Sequence, residues 1–409
     1  MLALKAVFET NWDEAKEFVL NFSSAKSLTL VGFMLLSFGL LLKRALSSKI
    51  RQRGRPFLFL IFMVGFVVSC CVGQKYKPTF VRMIRSYKCY TEEKEFILKY
   101  LEQRKDLNYG EISSLVLDEG KRTYVIVIGE SANKEHLGLY GYERNTTPKM
   151  SEMKKDLYVF DKVTSAHCQT LAVLQEALTF DNFSQGDVIT FFQKSGFKTF
   201  WLSNQFDGGH WNNIVALIGN QADVSYFVNL QLTYGLCFDD LLIDPFRRAL
   251  DDPAPKKVIF VHLHGSHLLY ANRYPKDFEI FSDNSSKIRQ TVCEYDNSIA
   301  YTDFILWNLI SLLKEKNENS YLLYLSDHGE DVRDDPDCSF CHSPSIAHPS
   351  MYSIPFFVWV SEKYLNENSE FVKNWDLHKE YRTDKLIHSI LRLSRLQNHK
   401  INVRYSIFD

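Results

Sequence analysis

The chain has 409 residues, with 48 basic side chains against 49 acidic ones and a formal net charge of -1. That length can bury a large core, in one big domain or two smaller ones. The near-zero charge gives no global reason to expect nucleic acid, so any charge-driven partner has to be recognised locally.

Two uncharged apolar runs fall within the first 75 residues, at 27–42 (SLTLVGFMLLSFGLLL) and 56–73 (PFLFLIFMVGFVVSCCVG). They sit at the short edge of the spanning range, which is roughly 17 to 25 residues. Burial in a protein core explains poorly why both runs are uncharged and adjacent, so two transmembrane helices are the better reading. Neither run resembles a cleaved signal peptide, because each is too long and the first follows a segment of mixed charge. The loop between them carries Lys43, Arg44, Lys49, Arg51, Arg53 and Arg55. By the positive-inside rule that loop is cytoplasmic and both termini lie outside, although Lys75, Lys77, Arg82, Arg85 and Lys88 after the second run make the vote close.

Cys70 and Cys71 lie inside the second run, leaving Cys89, Cys168, Cys237, Cys293, Cys338 and Cys341. That even number is compatible with disulfides in an oxidising compartment, with free thiols as the alternative.

Residues 76–120 mix charge with helical periodicity (EKEFILKYLEQRK) and read as an amphipathic linker at the membrane surface. From residue 121 to 409 the character changes to short apolar runs alternating with helical patterns. YVIVIGE (124–130), TFWLSNQ (199–205), KVIFVHLHG (257–265), YLLYLSDHG (321–329) and PFFVWVS (355–361) read as buried strands. LAVLQEAL and NSIAYTDFILWNLISLLKEK carry apolar residues at i, i+3, i+4 spacing and read as helices. Such alternation predicts an α/β domain with a mainly parallel sheet.

In open α/β sheets, ligands sit outside the carboxyl ends of the strands. Three predicted strands end there in metal-type residues: Glu130 on the first, His262, His264 and His267 around the 257–265 strand, and Asp327-His328 on the 321–329 strand. His342 follows on a loop rich in Cys and Pro. Carboxylates and imidazoles converging from several strand ends suit a zinc-type catalytic site. Asp327 and His328 are neighbours that a strand would splay apart, but Gly329 lets the chain turn so that both reach one ion. Each of these residues alone has a plainer reading as a cap or a surface group, and their coincidence at separate strand ends is what favours a site.

The stretch SAHCQTLAVL (165–174) adds His167, Cys168 and Thr170 just before a predicted helix. Thr170 opens that helix, where outward N–H groups favour an anion. Coordination to zinc would make its hydroxyl a usable nucleophile; as an N-cap alone it would contribute about 1 kcal/mol. His167 and Cys168 point apart on an extended chain, and Cys168 is expected as a disulfide partner.

In order along the chain, VIGESANKEHLGLYGYERNTTPKM, SAHCQTLAVLQEALTF, FVHLHGSHLLYANRYP, LSDHGEDV and MYSIPFFVW resemble the phosphoethanolamine transferases of Gram-negative bacterial envelopes. The resemblance covers about residues 120–360. It implies an inner-membrane enzyme whose periplasmic domain has the alkaline phosphatase-like (sulfatase) fold. It also implies Glu130, Thr170, Asp327 and His328 as zinc ligands, with Thr170 as the nucleophile. His267 and His342 match histidines that bind the phosphoryl group or a second zinc, with His348 a rival for His342, and His262 matches a further site histidine. His264 has no family role. Upstream, FETNWDEAKEF resembles a periplasmic helix of the family that helps to form the lipid site, with Thr10 and Glu14 at the matching positions.

The family usually has five spans, so two spans here imply either a truncated chain or a shortened relative. The implied reaction takes phosphoethanolamine from phosphatidylethanolamine onto Thr170, then passes it to lipid A or a core sugar of lipopolysaccharide. Other readings are a phosphodiesterase or glycerol phosphate transferase of the same superfamily, or a non-catalytic envelope protein. A sulfatase activity is disfavoured, because Cys168 is followed by Gln-Thr-Leu-Ala rather than a C-x-P-S-R motif.

Overall fold

The computed structural model describes residues 107–409 apart from 115–119, 182, 184, 206–213, 229–236, 284 and 333–347, together with isolated positions between 87 and 102. Both apolar runs of the first 75 residues lie outside the described residues, as do Thr10, Glu14 and His342. Among the described residues no helix is long and apolar enough to cross a membrane. The chain divides into two compact units, Met1–Lys99 and Tyr100–Asp409. In the first, the described positions from 87 onward are helical; all that follows concerns the second.

Among the described residues, seven strands form one sheet: β1 Arg122–Gly129, β2 Leu157–Phe160, β3 Lys198–Ser203, β4 Val224–Phe227, β5 Lys256–His262, β6 Asn319–Ser326 and β7 Phe356–Val360. Their spatial order is β2-β7-β6-β1-β5-β3-β4. All neighbours are parallel except β7, which runs antiparallel to both β6 and β2. β1 (RTYVIVIG) is buried along its whole length, as a parallel strand covered on both faces must be.

The helices that matter here are α1 Thr170–Ala177, α2 Val188–Lys194, α3 Ile243–Asp251, α4 Lys287–Lys316, α5 Glu362–Lys373 and α6 Leu386–Leu393. One sheet face packs Val125, Val127, Ile259 and Val261 against Phe246 and Leu250 of α3 and Ile305, Leu309 and Leu313 of α4. Each such aliphatic side chain contributes about 1.5–3 kcal/mol on full burial. On the other face Tyr124 stacks on Tyr321 at 4.6 Å and meets Tyr364 of α5 edge-on. The Tyr321 hydroxyl is 2.7 Å from Ser394 Oγ at the end of α6. The sheet is therefore sandwiched between helical layers, as expected of this α/β class.

Register decides where the site forms. Gly129 pairs with Ser326 and Ile128 with His262, so the three central strands end level with one another. The pairing continues one step further: Asp327 N donates to Gly129 O at 3.0 Å and Ser266 N to Glu130 O at 2.9 Å. Glu130 and Asp327 therefore leave the sheet side by side. Gly265 is required at this edge, because it has φ +53° and a Cβ there would lie 2.8 Å from Glu130 O.

Candidate active site

Glu130, Asp327 and His328 are all buried, and one ligand atom of each lies within 4.8 Å of the others. Asp327 Oδ1 accepts from Ser131 N at 3.1 Å and His328 N at 2.7 Å. Its Oδ2 is buried with no hydrogen-bond partner among the described residues. His328 Nδ1 lies 2.8 Å from Gly329 O, which places the proton on Nδ1. The other ring nitrogen, Nε2, lies 3.2 Å from Glu130 Oε1 and 3.6 Å from Asp327 Oδ2, so that it pairs with the carboxylates when protonated and can turn to a cation when it is not. Two buried carboxylates and an imidazole whose Nε2 is turned toward them form a donor set that fits a zinc-type cation.

The electrostatics agree with that fit. Burial pushes Asp327 up, and the nearby Glu130 charge adds to this, to about 7. Burial alone would lower His328, but the charges of Asp327 and Glu130 raise it to about 10. Burial opposes the Glu130 charge too, yet the hydrogen bond and charge of His328 hold that carboxyl well below its usual range. A cluster that grips protons this way is built for concentrated positive charge.

Thr170 is the first residue of α1, following Gln169 in extended conformation. Its hydroxyl does not cap the helix. It donates to Glu130 Oε2 at 2.9 Å and lies 3.4 Å from His328 Nε2. The loop that delivers it is pinned at several points. Ser165 Oγ lies 2.6 Å from Asp327 O, Ser165 N donates to Tyr352 O at 2.8 Å, and Ala166 N donates to Thr383 Oγ1 at 3.0 Å. His167 turns to Glu176 Oε1 at 3.1 Å on a half-exposed face. The expectation for Cys168 is corrected: it is a buried free thiol rather than a disulfide partner, set beside the Tyr352 hydroxyl. Cys89, Cys338 and Cys341 lie outside the described residues.

His262 ends β5, with its ring edge-on to Trp201 at 5.8 Å and Nε2 buried without a hydrogen-bond partner among the described residues. Burial lowers it to about 4, so it is neutral at pH 7. The His267 ring is 5.5 Å from that of His264, and its charge bears on Glu130. His264, which has no role by resemblance, is placed by Asp239, which accepts His264 N at 2.8 Å and Gly265 N at 2.9 Å. Arg273 joins the group, with Nη1 3.5 Å from His264 Nδ1. The rival for His342, His348, is engaged locally, with Nδ1 2.8 Å from Ser350 Oγ.

Three contributors escape the sequence reading. Ser131 donates to Glu130 Oε1 at 2.7 Å; Gln205 Nε2 approaches Glu130 Oε2 at 3.4 Å and donates to Leu263 O at 3.0 Å; Ser165 holds the loop that carries Thr170. Gln205 was signalled by its place at the end of TFWLSNQ, the same strand-end position that marked Glu130.

A profile of the sulfatase family matches residues 122–394. The phosphoethanolamine transferase EptC of Escherichia coli K12 is 31% identical over 427 residues, covering 94% of this chain and 73% of that protein. The crystal structure of the C-terminal periplasmic domain of that species' EptC, solved in complex with Zn, superposes with a TM-score of 0.68 at 32% identity, covering 74% of this chain and 89% of that one. The integral membrane lipooligosaccharide phosphoethanolamine transferase A of Neisseria meningitidis gives a TM-score of 0.69 at 20% identity, with 99% and 81% covered, a likeness of fold alone. With the family profile spanning the whole sheet and the relatives extending beyond it, the chain belongs to the sulfatase family, among its phosphoethanolamine transferases.

Proposed function

We propose that the protein moves phosphoethanolamine from phosphatidylethanolamine to lipid A or a core sugar of lipopolysaccharide, by way of a phosphoethanolaminyl group on Thr170. In this reading residues 1–75 anchor it in the bacterial inner membrane, 76–120 link, and 121–409 work in the periplasm. The observation that carries the reading is the Thr170 hydroxyl, 2.9 Å from Glu130 Oε2 within the cation-type cluster. A purely structural metal site has no use for it.

Glu130, Asp327, His328 and Thr170 would hold a zinc ion, which when bound supplies charge that lowers the pKa of a nearby hydroxyl and steadies phosphoryl oxygens. The residues themselves do the rest. The Thr170 proton already points to Glu130 Oε2. As the Oγ–P bond forms, the bond from phosphorus to the diacylglycerol oxygen breaks, and that oxygen leaves with a proton. In the second step an acceptor oxygen attacks the same phosphorus, the Thr170 Oγ–P bond breaks, and the acceptor's proton passes to the departing Oγ, restoring the hydroxyl. Neutral His262 and half-buried His267 would bind the phosphoryl group, a role the resemblance also gives His342, as it gives Thr10 and Glu14 to the lipid donor. Phosphoryl transfer asks mostly for positioning and electrostatic support, which such an arrangement supplies.

The test is Thr170→Ala. The variant should still bind zinc but should not acquire a covalent phosphoethanolamine or release diacylglycerol from a fluorescent phosphatidylethanolamine. Activity at the wild-type level in that variant would remove Thr170 as the nucleophile.

A further inference from the structure

A cleft of about 460 Å³ opens beside the nucleophile loop, lined by Lys134, Lys162, Thr164, Glu380, Tyr381 and Arg382. That volume is within the range of small-ligand sites, about 300–1,000 Å³. Its floor is a short parallel pair, Val163 with Tyr381 and Thr164 with Arg382. The chain runs from Thr164 directly into the segment that ends at Thr170, so the two are separated by at most about 20 Å of extended chain. The residue after Arg382, Thr383, holds Ala166 N at 3.0 Å, and the charge of Glu176 on α1 reaches the Arg382 guanidinium. Cleft and nucleophile therefore share one scaffold.

The lining carries an excess of positive charge. Lys162 is exposed and has no ion pair among the described residues. Lys134 Nζ donates to the carbonyl of Asp161, which leaves its charge uncompensated by that bond. Asp384 takes Arg382 Nε at 2.9 Å and Nη2 at 3.1 Å, leaving Nη1 for another acceptor. Against these cations the lining sets one carboxylate, Glu380.

The donor does not need such a place, because its one phosphate has to sit at the Thr170 oxygen itself. An acceptor that carries anionic groups on sugars next to the reacting one has to be held at a distance from that oxygen. We infer that the cleft is an acceptor subsite, binding a phosphate or carboxylate on a sugar adjacent to the one that receives the phosphoethanolamine. This rests on the transfer reading above.

The test uses the full chain in detergent with a soluble phosphorylated oligosaccharide as acceptor, and the same oligosaccharide after phosphatase treatment. Wild type, Lys162→Glu and Lys162→Arg are compared for the Thr170 adduct by intact mass and for acceptor KM and kcat. All three should form the adduct. Lys162→Glu should raise the KM of the phosphorylated acceptor about tenfold with little change in kcat, as loss of a charge-assisted contact does. Lys162→Arg should stay close to wild type, and the dephosphorylated acceptor should not distinguish the three. Unchanged KM in Lys162→Glu overturns the subsite alone. So does a preference lost equally when phosphatidylglycerol vesicles compete, since that marks a membrane contact. Absence of the adduct in wild type overturns the transferase reading and the subsite with it.

Discussion

Replacing Asp327 by Asn keeps the side-chain shape and the Oδ1 acceptor for Ser131 N and His328 N, at 3.1 and 2.7 Å, while removing charge from the orphaned Oδ2. Without zinc the cost should be small. Burial and the neighbouring Glu130 already raise the carboxyl well above its usual range, so its charge is disfavoured even before the substitution. In EDTA the melting temperature of Asp327→Asn should therefore stay within about 2 °C of wild type. Zinc should separate the two proteins. A ligand present at about 100 times its Kd stabilises by about 2.7 kcal/mol, which in a unit of this size raises the melting temperature by roughly 5 °C. Loss of a ligand lowers affinity by at least about 100-fold, so at the same zinc concentration the variant would gain only about 0.4 kcal/mol, under about 1 °C. Scanning calorimetry with zinc titrated against EDTA reads both quantities. An equal zinc shift in the two proteins would refute the ligand assignment. A loss above about 3 kcal/mol in EDTA would instead mark Asp327 as structural.

Because the charges of Asp327 and Glu130 hold His328 up, and burial holds Asp327 up, a zinc ion bound here would displace protons, and affinity should rise with pH. Titration calorimetry in buffers of different ionisation enthalpy measures this, and release near zero would place zinc elsewhere. A Cβ on residue 329 would lie 2.1 Å from Ser350 O and 2.8 Å from Ser353 O, so Gly329→Ala should cost about 3 kcal/mol and blunt the zinc shift; a urea midpoint equal to wild type would contradict this. His388 is lowered to about 4 by burial and then by the Lys385 charge. The unfolded chain takes the proton first, near 6.5. Its contribution is therefore full above that pH and lost as pH falls toward 4, by about 2 kcal/mol after allowance for solvent access. His388→Asn, which retains an acceptor for the Asn402 N–H at 3.1 Å, should flatten that arm of a stability curve taken between pH 4 and 7.

The sequence made the central strands legible because parallel strands covered on both faces are written as unbroken apolar runs, such as YVIVIG and YLLYL. β2 and β4 are short, and β4 is largely exposed, so neither carries that signature. α4 begins at Lys287, well before the periodic stretch that announces it, because Ser286 caps it through Arg289 N. At the site, Glu130, Asp327 and His328 stood out because residue type and strand-end position coincided. Ser131, Ser165 and Gln205 did not, since serine and glutamine are common in loops and only the register brings them to Glu130 and Asp327. Gly329 was read as a freedom to turn, whereas its use is close passage beneath the Ser350 and Ser353 carbonyls. Cys168 was misread from the parity of the cysteine count, which says nothing about which thiols face each other.

The Ser165 hydroxyl, 2.6 Å from Asp327 O, fastens the loop of Thr170 to the segment that carries Asp327 and His328. In the proposed role, a threonine moored to the segment that carries Asp327 and His328 could not swing between two lipids as a carrier arm does. The cargo would wait at a fixed berth, and the traffic would have to come to it in turn. In the proposed reaction diacylglycerol would have to clear the opening before a sugar could enter, so initial-rate plots at several donor concentrations should run parallel, and excess donor should obstruct the acceptor.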